Sequence, residues 1–178
     1  MTAQTESGGN LPRRPHWLQV IAVGRHPRRT FVRIVVLVIV CFVVFHYVLL
    51  PARVDGISMA PTYRNHSISL VNQLAYLWHE PRRGDVVAVR AWAGKHIMLI
   101  KRIIGLPGET VRFNNGRVFI NGKLLAEPYE KRPCHWTLPP VKLGPHQYFI
   151  VGDNRTMPWK DHYFGKVDRD RIVGKMLL

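Results

Sequence analysis

The apolar positions divide the chain into two regimes. From Ile34 to Leu50 the residues run IVVLVIVCFVVFHYVLL, without an Asp, Glu, Lys or Arg. With Phe31 to Arg33 added, this is about the 20 residues needed to cross a bilayer core, and Arg33 can snorkel at one end. A buried soluble helix is the alternative, but a run apolar on every face has nowhere polar to point. The pattern predicts a transmembrane helix over residues 31–50, ended by Pro51. His46 and Tyr47 near its outer end suit an interface. Residues 1–30 carry Gly, Pro, Ser and Thr with little periodicity and read as a flexible basic tail, of which Trp17 to Val23 suits the interface.

Beyond Pro51 the pattern shortens to a period of two. Ser67 to Val71, Asp85 to Trp92 and Ile97 to Ile104 are strand-like. Thr110 to Phe113 and Arg117 to Ile120 flank Asn114-Asn115-Gly116, a hairpin turn of residues that tolerate positive φ. Asn121-Gly122 gives another turn. Gln147 to Val151 is a further strand, ending at Gly152-Asp153-Asn154. Glu127 to Pro145 contains five prolines and reads as a loop. Short strands with no long amphipathic helix predict a mainly β, antiparallel, barrel-like or sandwich domain over residues 51–178.

Charge orients this arrangement. The 178 residues carry a formal net charge of +15. The basic residues are dispersed, with neither zinc-ligand spacing nor a basic helix, so an anionic membrane face fits better than nucleic acid. Arg13, Arg14, Arg25, Arg28, Arg29 and Arg33 precede the apolar run against a single acid, Glu6. The positive-inside rule puts the N-terminus in the cytoplasm and residues after Pro51 on the outer side. A cleaved signal peptide shares basic flanks and an apolar core, but the run has full span length and no A-x-A site follows it. Cys41 lies inside the run and Cys134 far outside, so no disulfide between them is expected. No CxxC or HExxH pattern occurs, and no metal or cofactor is expected.

Two residues are candidates for chemistry. Ser58 sits in Gly56-Ile57-Ser58-Met59-Ala60-Pro61-Thr62, a turn that could present a hydroxyl and a backbone N–H together. A serine in a turn is most often structural. Lys101 sits in a strand-like run where period two places it with Ile97, Leu99 and Ile103. An apolar face desolvates the ammonium and lowers its pKa from about 10.4. A neutral amine could take a proton from Ser58 and return it to a leaving amine.

Four segments join the pair. Ser58-Met59-Ala60-Pro61-Thr62 resembles the S-M-x-P-T box of type I signal peptidases. Arg83-Gly84-Asp85-Val86-Val87 resembles their R-G-D-[IV]-V box, and Lys101 to Glu109 their K-R-x-x-G-x-P-G-[DE] box. Gly152-Asp153-Asn154-Arg155 resembles G-D-N-[RS], followed by Phe164-Gly165. The boxes stand in the family's order and cover about residues 35–175. The resemblance implies an antiparallel β catalytic core near the membrane surface. It implies a Ser–Lys dyad that needs no catalytic histidine or metal and cleaves signal peptides from exported preproteins after small residues in an A-x-A pattern. It makes Ser58 the nucleophile, Lys101 the base, and the Ser58 main-chain N–H an oxyanion donor. The implied partners are preprotein signal peptides and membrane lipids, and the implied location is a bacterial inner membrane.

The sequence also departs from that family. Some members carry a serine, a second oxyanion donor, where this chain has Gly56. The family serine that hydrogen-bonds the catalytic lysine falls on Pro158, its Asp on Lys160 and its Arg on His162. Asp153 could stiffen the site through turn amides. Two alternatives stay open: the related mitochondrial inner-membrane protease, and a catalytically inactive membrane-tethered binder of exported chains, favoured by Pro158 and Lys160; the SOS-repressor autoproteases share Ser–Lys chemistry but are soluble and carry a DNA-binding module that this sequence does not show.

Overall fold

The computed structural model describes residues 27–91, 98–129 and 134–177. Most of the basic tail, including Trp17 to Val23, and the strand ends at Trp92 and Ile97 lie outside the described residues.

Two units are distinguished, divided after Phe42. The first contains most of helix α1, Pro27–Val43, which continues into a π-turn at Val44–Val48. Arg28–Val48 spans 21 residues and contains an 18-residue stretch of mean hydropathy 2.7, long and apolar enough to cross a membrane. Phe31, Ile34, Leu37 and Phe42 are all more than half exposed. Such an exposed apolar helix fits membrane anchoring.

The strands of the second unit all pair antiparallel. Its strands are β1 Leu49–Arg53, β2 Ile68–Asn72, β3 Val86–Arg90, β4 Met98–Gly105, β5 Thr110–Asn114, β6 Arg117–Ile120, β7 Lys123–Leu124, β8 Leu138–Lys142, β9 Gln147–Val151, β10 Gly165–Asp168 and β11 Ile172–Leu177. They form a seven-stranded sheet in the order β1-β2-β11-β3-β4-β9-β10 and a four-stranded sheet in the order β7-β6-β5-β8. The mainly antiparallel expectation stands. The strands form two open sheets rather than one closed barrel.

The large sheet is packed on both faces. Along β3, Val86 and Ala88 join Ala52, Met59 and Val71, whereas Val87 and Val89 join Ile103, Ile150 and Val167. This explains why β3 is a continuous apolar run rather than an alternating one. The small sheet closes a third core around Phe113, Trp136 and Phe149.

Several elements differ from expectation. Leu49 and Leu50 begin β1 instead of ending the helix, and Pro51 lies within that strand. The segment read as a loop from Glu127 to Pro145 contains β8, with Pro139 and Pro140 inside it. Both β1 and β8 are edge strands, where a missing N–H breaks no central ladder. Strand β11 was not anticipated, yet it pairs with both β2 and β3.

Candidate active site

Ser58 is presented by the loop between β1 and β2. The loop is closed at its base by Val54 N–H to Ser67 O at 2.8 Å and His66 N–H to Val54 O at 2.7 Å. Gly56 takes φ +109°, a conformation costly for any residue with a Cβ, and its N–H donates to Asn65 Oδ1 at 2.8 Å. Met59, fully buried, pins the loop to the core. From the other side, Asn154 donates its main-chain N–H to Ser58 O at 2.9 Å and its Nδ2 to Ile57 O at 3.0 Å. The G-D-N turn therefore clamps the two peptides around Ser58.

Lys101 comes from the middle of β4, opposite Val87, and is 3% exposed. Its Nζ lies 2.6 Å from Ser58 Oγ. Burial pushes the amine down to about 8, against a smaller opposing influence from the Asp153 carboxylate. When charged, the ammonium donates to Ser58. When neutral, its lone pair accepts the Ser58 hydroxyl proton. The expected apolar setting of Lys101 is thus present, although Ile97 lies outside the described residues.

Asp153 does not cap turn amides as anticipated. Its carboxylate accepts from Arg102 Nε at 2.8 Å, Arg102 Nη2 at 2.6 Å and Thr62 Oγ1 at 2.5 Å. Arg102 also donates to Gly84 O at 2.7 Å, and its guanidinium lies 4.1 Å from the Tyr129 ring centre. One buried ion pair therefore joins β4, the Ser58 loop and the G-D-N turn. The R-G-D segment is a brace: Asp85 accepts from Tyr76 Oη and Lys175 Nζ, and Arg83 binds Ile104 O and Glu109. Arg155, fully buried, donates to Gly152 O and Glu127 Oε1, both at 2.7 Å. Arg102, Asn154, Arg155 and His162 were not singled out as site residues from sequence. A charged pair inside an apolar strand, Lys101-Arg102, was the one local signal available.

A cleft of about 470 Å³ opens beside the dyad, lined by Ala52, Gly56, Ser58, Met59, Ala88 and Ile100 among others. Strand β9 pairs with β4 only from Arg102 onward, and Met98, Leu99 and Ile100 line the cleft. Pro158 precedes a 3-10 turn at Trp159–Asp161 and, like Gly56, offers no hydroxyl.

A family model described as "Signal peptidase, peptidase S26" matches residues 28–178. Over 159 residues the chain is 33% identical to signal peptidase I V of Bacillus subtilis, covering 79% of this chain and 90% of that one. It is 38% identical over 123 residues to the probable signal peptidase I-2 of Synechocystis, covering 66% of this chain and 56% of the relative. A solved signal peptidase I from Enterococcus faecalis aligns at 27% identity with a TM-score of 0.46, covering 55% of this chain and 97% of that one.

The chain belongs to the signal peptidase family, peptidase S26. That family comprises membrane serine endopeptidases that remove signal peptides, and this chain is one of its enzymes. Within a signal peptidase the four boxes take distinct places. Two supply Ser58 and Lys101, the R-G-D segment braces β4, and the G-D-N turn holds the serine loop.

Proposed function

We propose that this signal peptidase cleaves exported preproteins after small residues, with Ser58 as nucleophile and Lys101 as general base. The observation that carries the reading is the 2.6 Å contact between Lys101 Nζ and Ser58 Oγ, made by a buried amine held down to about 8. Lys101 takes the hydroxyl proton as Ser58 Oγ attacks the scissile carbonyl. The tetrahedral oxyanion is met by the Ser58 main-chain N–H. Lys101 returns the proton to the leaving amine, then activates the water that hydrolyses the acyl-enzyme. A substrate strand pairing along Met98–Ile100 would place its scissile bond at Ser58, with Ala52, Ala88 and Met59 leaving room for small side chains.

The anchor is the apolar run after Arg33, within Arg28–Val48, in a bacterial inner membrane, with the residues before it in the cytoplasm and the domain from residue 51 onward outside; six arginines up to Arg33 against one acid support that orientation. Anionic lipids suit the +15 charge. The residues that favoured an inert binder, Pro158 and Lys160, coexist with the formed Ser58–Lys101 contact. A serine-directed acylating probe followed by peptide mass mapping separates the readings. Label on Ser58, slowed strongly in Lys101→Ala, is expected; absence of label, or label elsewhere, contradicts the dyad.

A further inference from the structure

The β domain carries an apolar surface where the chain leaves the membrane run. In an antiparallel sheet, residues directly opposite one another share a face. Leu49, Pro51 and Arg53 of β1 stand opposite Asn72, Leu70 and Ile68 of β2, and Asn72 and Leu70 stand opposite Lys175 and Leu177 of β11. The other face of these strands holds Ala52, Val71 and Met176, which belong to the core. The face with Pro51, Ile68, Leu70 and Leu177 is turned outward, and Ile68 is 78% exposed. Arg53 and Lys175 are the charges among these positions, and none is acidic. Single exposed apolar side chains are ordinary, but several on one sheet face are not.

The loop after β2 adds to this surface. Lys175 stands opposite both Asn72 and Val87, and Tyr76 joins Val87 in the core on that side of the sheet. The loop is firmly held. Tyr76 donates its hydroxyl to Asp85 at 3.0 Å, Arg169 Nη2 donates to Tyr76 O at 3.0 Å, and Leu77 N–H donates to Leu74 O at 3.2 Å. Leu77 and Trp78 nevertheless stand 63% and 85% exposed. The same loop is tied to the end of the membrane run: Gln73 donates its N–H to Val48 O at 2.9 Å and its Nε2 to His46 O at 3.4 Å. Phe45 and Tyr47 in that last turn are themselves more than half exposed. Apolar surface thus runs from the end of the span onto the strand face and the loop.

We propose that the outer face of β1, β2 and β11, together with Leu77 and Trp78, is a second membrane contact that rests in the lipid interface. The occupant is phospholipid, because the face begins where the chain leaves the bilayer. Pro51 lies about 7 Å along β1 from Leu49, at about 3.3 Å per residue. Leu70 and Leu177 are in register with it. The interfacial layer of one leaflet is about 5–8 Å deep, so these side chains are within reach of lipid once the span is in place. An indole suits that layer, and the long stem of Arg53 lets its charge reach the headgroups. The inference rests on the spanning reading of Arg28–Val48 and is independent of the Ser58–Lys101 dyad.

The test uses the full chain in liposomes of phosphatidylglycerol and phosphatidylethanolamine. An environment-sensitive fluorophore is placed on single cysteines, with Cys41 and Cys134 replaced by Ser. The labelled sites are Ile68→Cys, Leu77→Cys and Trp78→Cys. Leu37→Cys in the span is the positive reference, and Leu124→Cys, exposed on the four-stranded sheet, the negative one. Lipids carrying a nitroxide near the headgroup should quench the three test sites about threefold or more beyond Leu124→Cys, with blue-shifted emission, as side chains seated in the interface require. All three side chains are exposed, so each site reports without disturbing the core, and loss of one variant leaves the other two to decide. Quenching no stronger than at Leu124→Cys overturns the proposal. So does a blue shift without lipid quenching that grows with protein density, which marks contact between copies of the chain. An unquenched Leu37→Cys would bring down the spanning reading and this inference with it. With Leu37→Cys quenched and the three test sites not, only the second contact falls.

Discussion

Replacing Lys101 by Met should abolish cleavage and yet stabilise the domain. Burial holds the amine down to about 8 from an ordinary 10.5. At 1.36 kcal/mol per pH unit, the folded state carries a penalty of about 3 kcal/mol for the ammonium near neutral pH. Because the folded-state value lies below the unfolded one, the unfolded chain binds more protons between about pH 8 and 10.5. Stability therefore rises with pH across that window, and below about pH 8 the penalty is felt in full. Methionine is similar in length, flexible and uncharged. At pH 7 it removes the penalty and gives up one hydrogen bond to Ser58, worth about 1 kcal/mol, for a net gain of about 2 kcal/mol. Urea denaturation in detergent, followed by tryptophan fluorescence, reads this as a higher midpoint with unchanged slope. Near pH 10 the wild type recovers most of the difference. A Lys101→Met protein no more stable than wild type at pH 7, or a gap that ignores pH, would refute the claim that Lys101 is a desolvated base.

The same amine sets the pH profile. With its value near 8, roughly a tenth of Lys101 is neutral at pH 7, against roughly one in three thousand at 10.5, so kcat/KM should climb through pH 8 and then level. A limb near pH 10, or none, contradicts this. Asp153→Asn leaves the buried Arg102 without its counter-charge and should cost about 3 kcal/mol in denaturation. It also removes the influence that raises Lys101, so the acid limb moves below that of wild type; an unaltered midpoint and limb count against the network. Gly152→Ala drives a methyl into Ser58 O and the His162 ring, and should cost about 1–3 kcal/mol and most of the activity. A variant with normal stability and turnover would mean that the approach is looser than described.

Much of the site was legible because its chemistry sits in short, contiguous segments. Ser58 and Lys101 were found from a turn, a period-two strand and four ordered boxes. Their supports were harder to see, because they join residues far apart in sequence. Arg102 and Asp153 are 51 positions apart, and either reads locally as an exposed strand charge or a turn former. The fold was missed where one signal masked another. Leu49 and Leu50 continue an apolar run, so β1 looked like the end of a helix. Prolines hid β8, because an edge strand tolerates what a central strand would not.

The central claim is that one hydroxyl and one buried amine do the chemistry. Cleavage of an A-x-A preprotein by purified full-length protein, compared with Ser58→Ala and Lys101→Ala, tests it most directly. Wild type should release the mature chain, and each variant, folded by circular dichroism, should release none above background. Cleavage retained by either variant at near the wild-type rate would contradict the account.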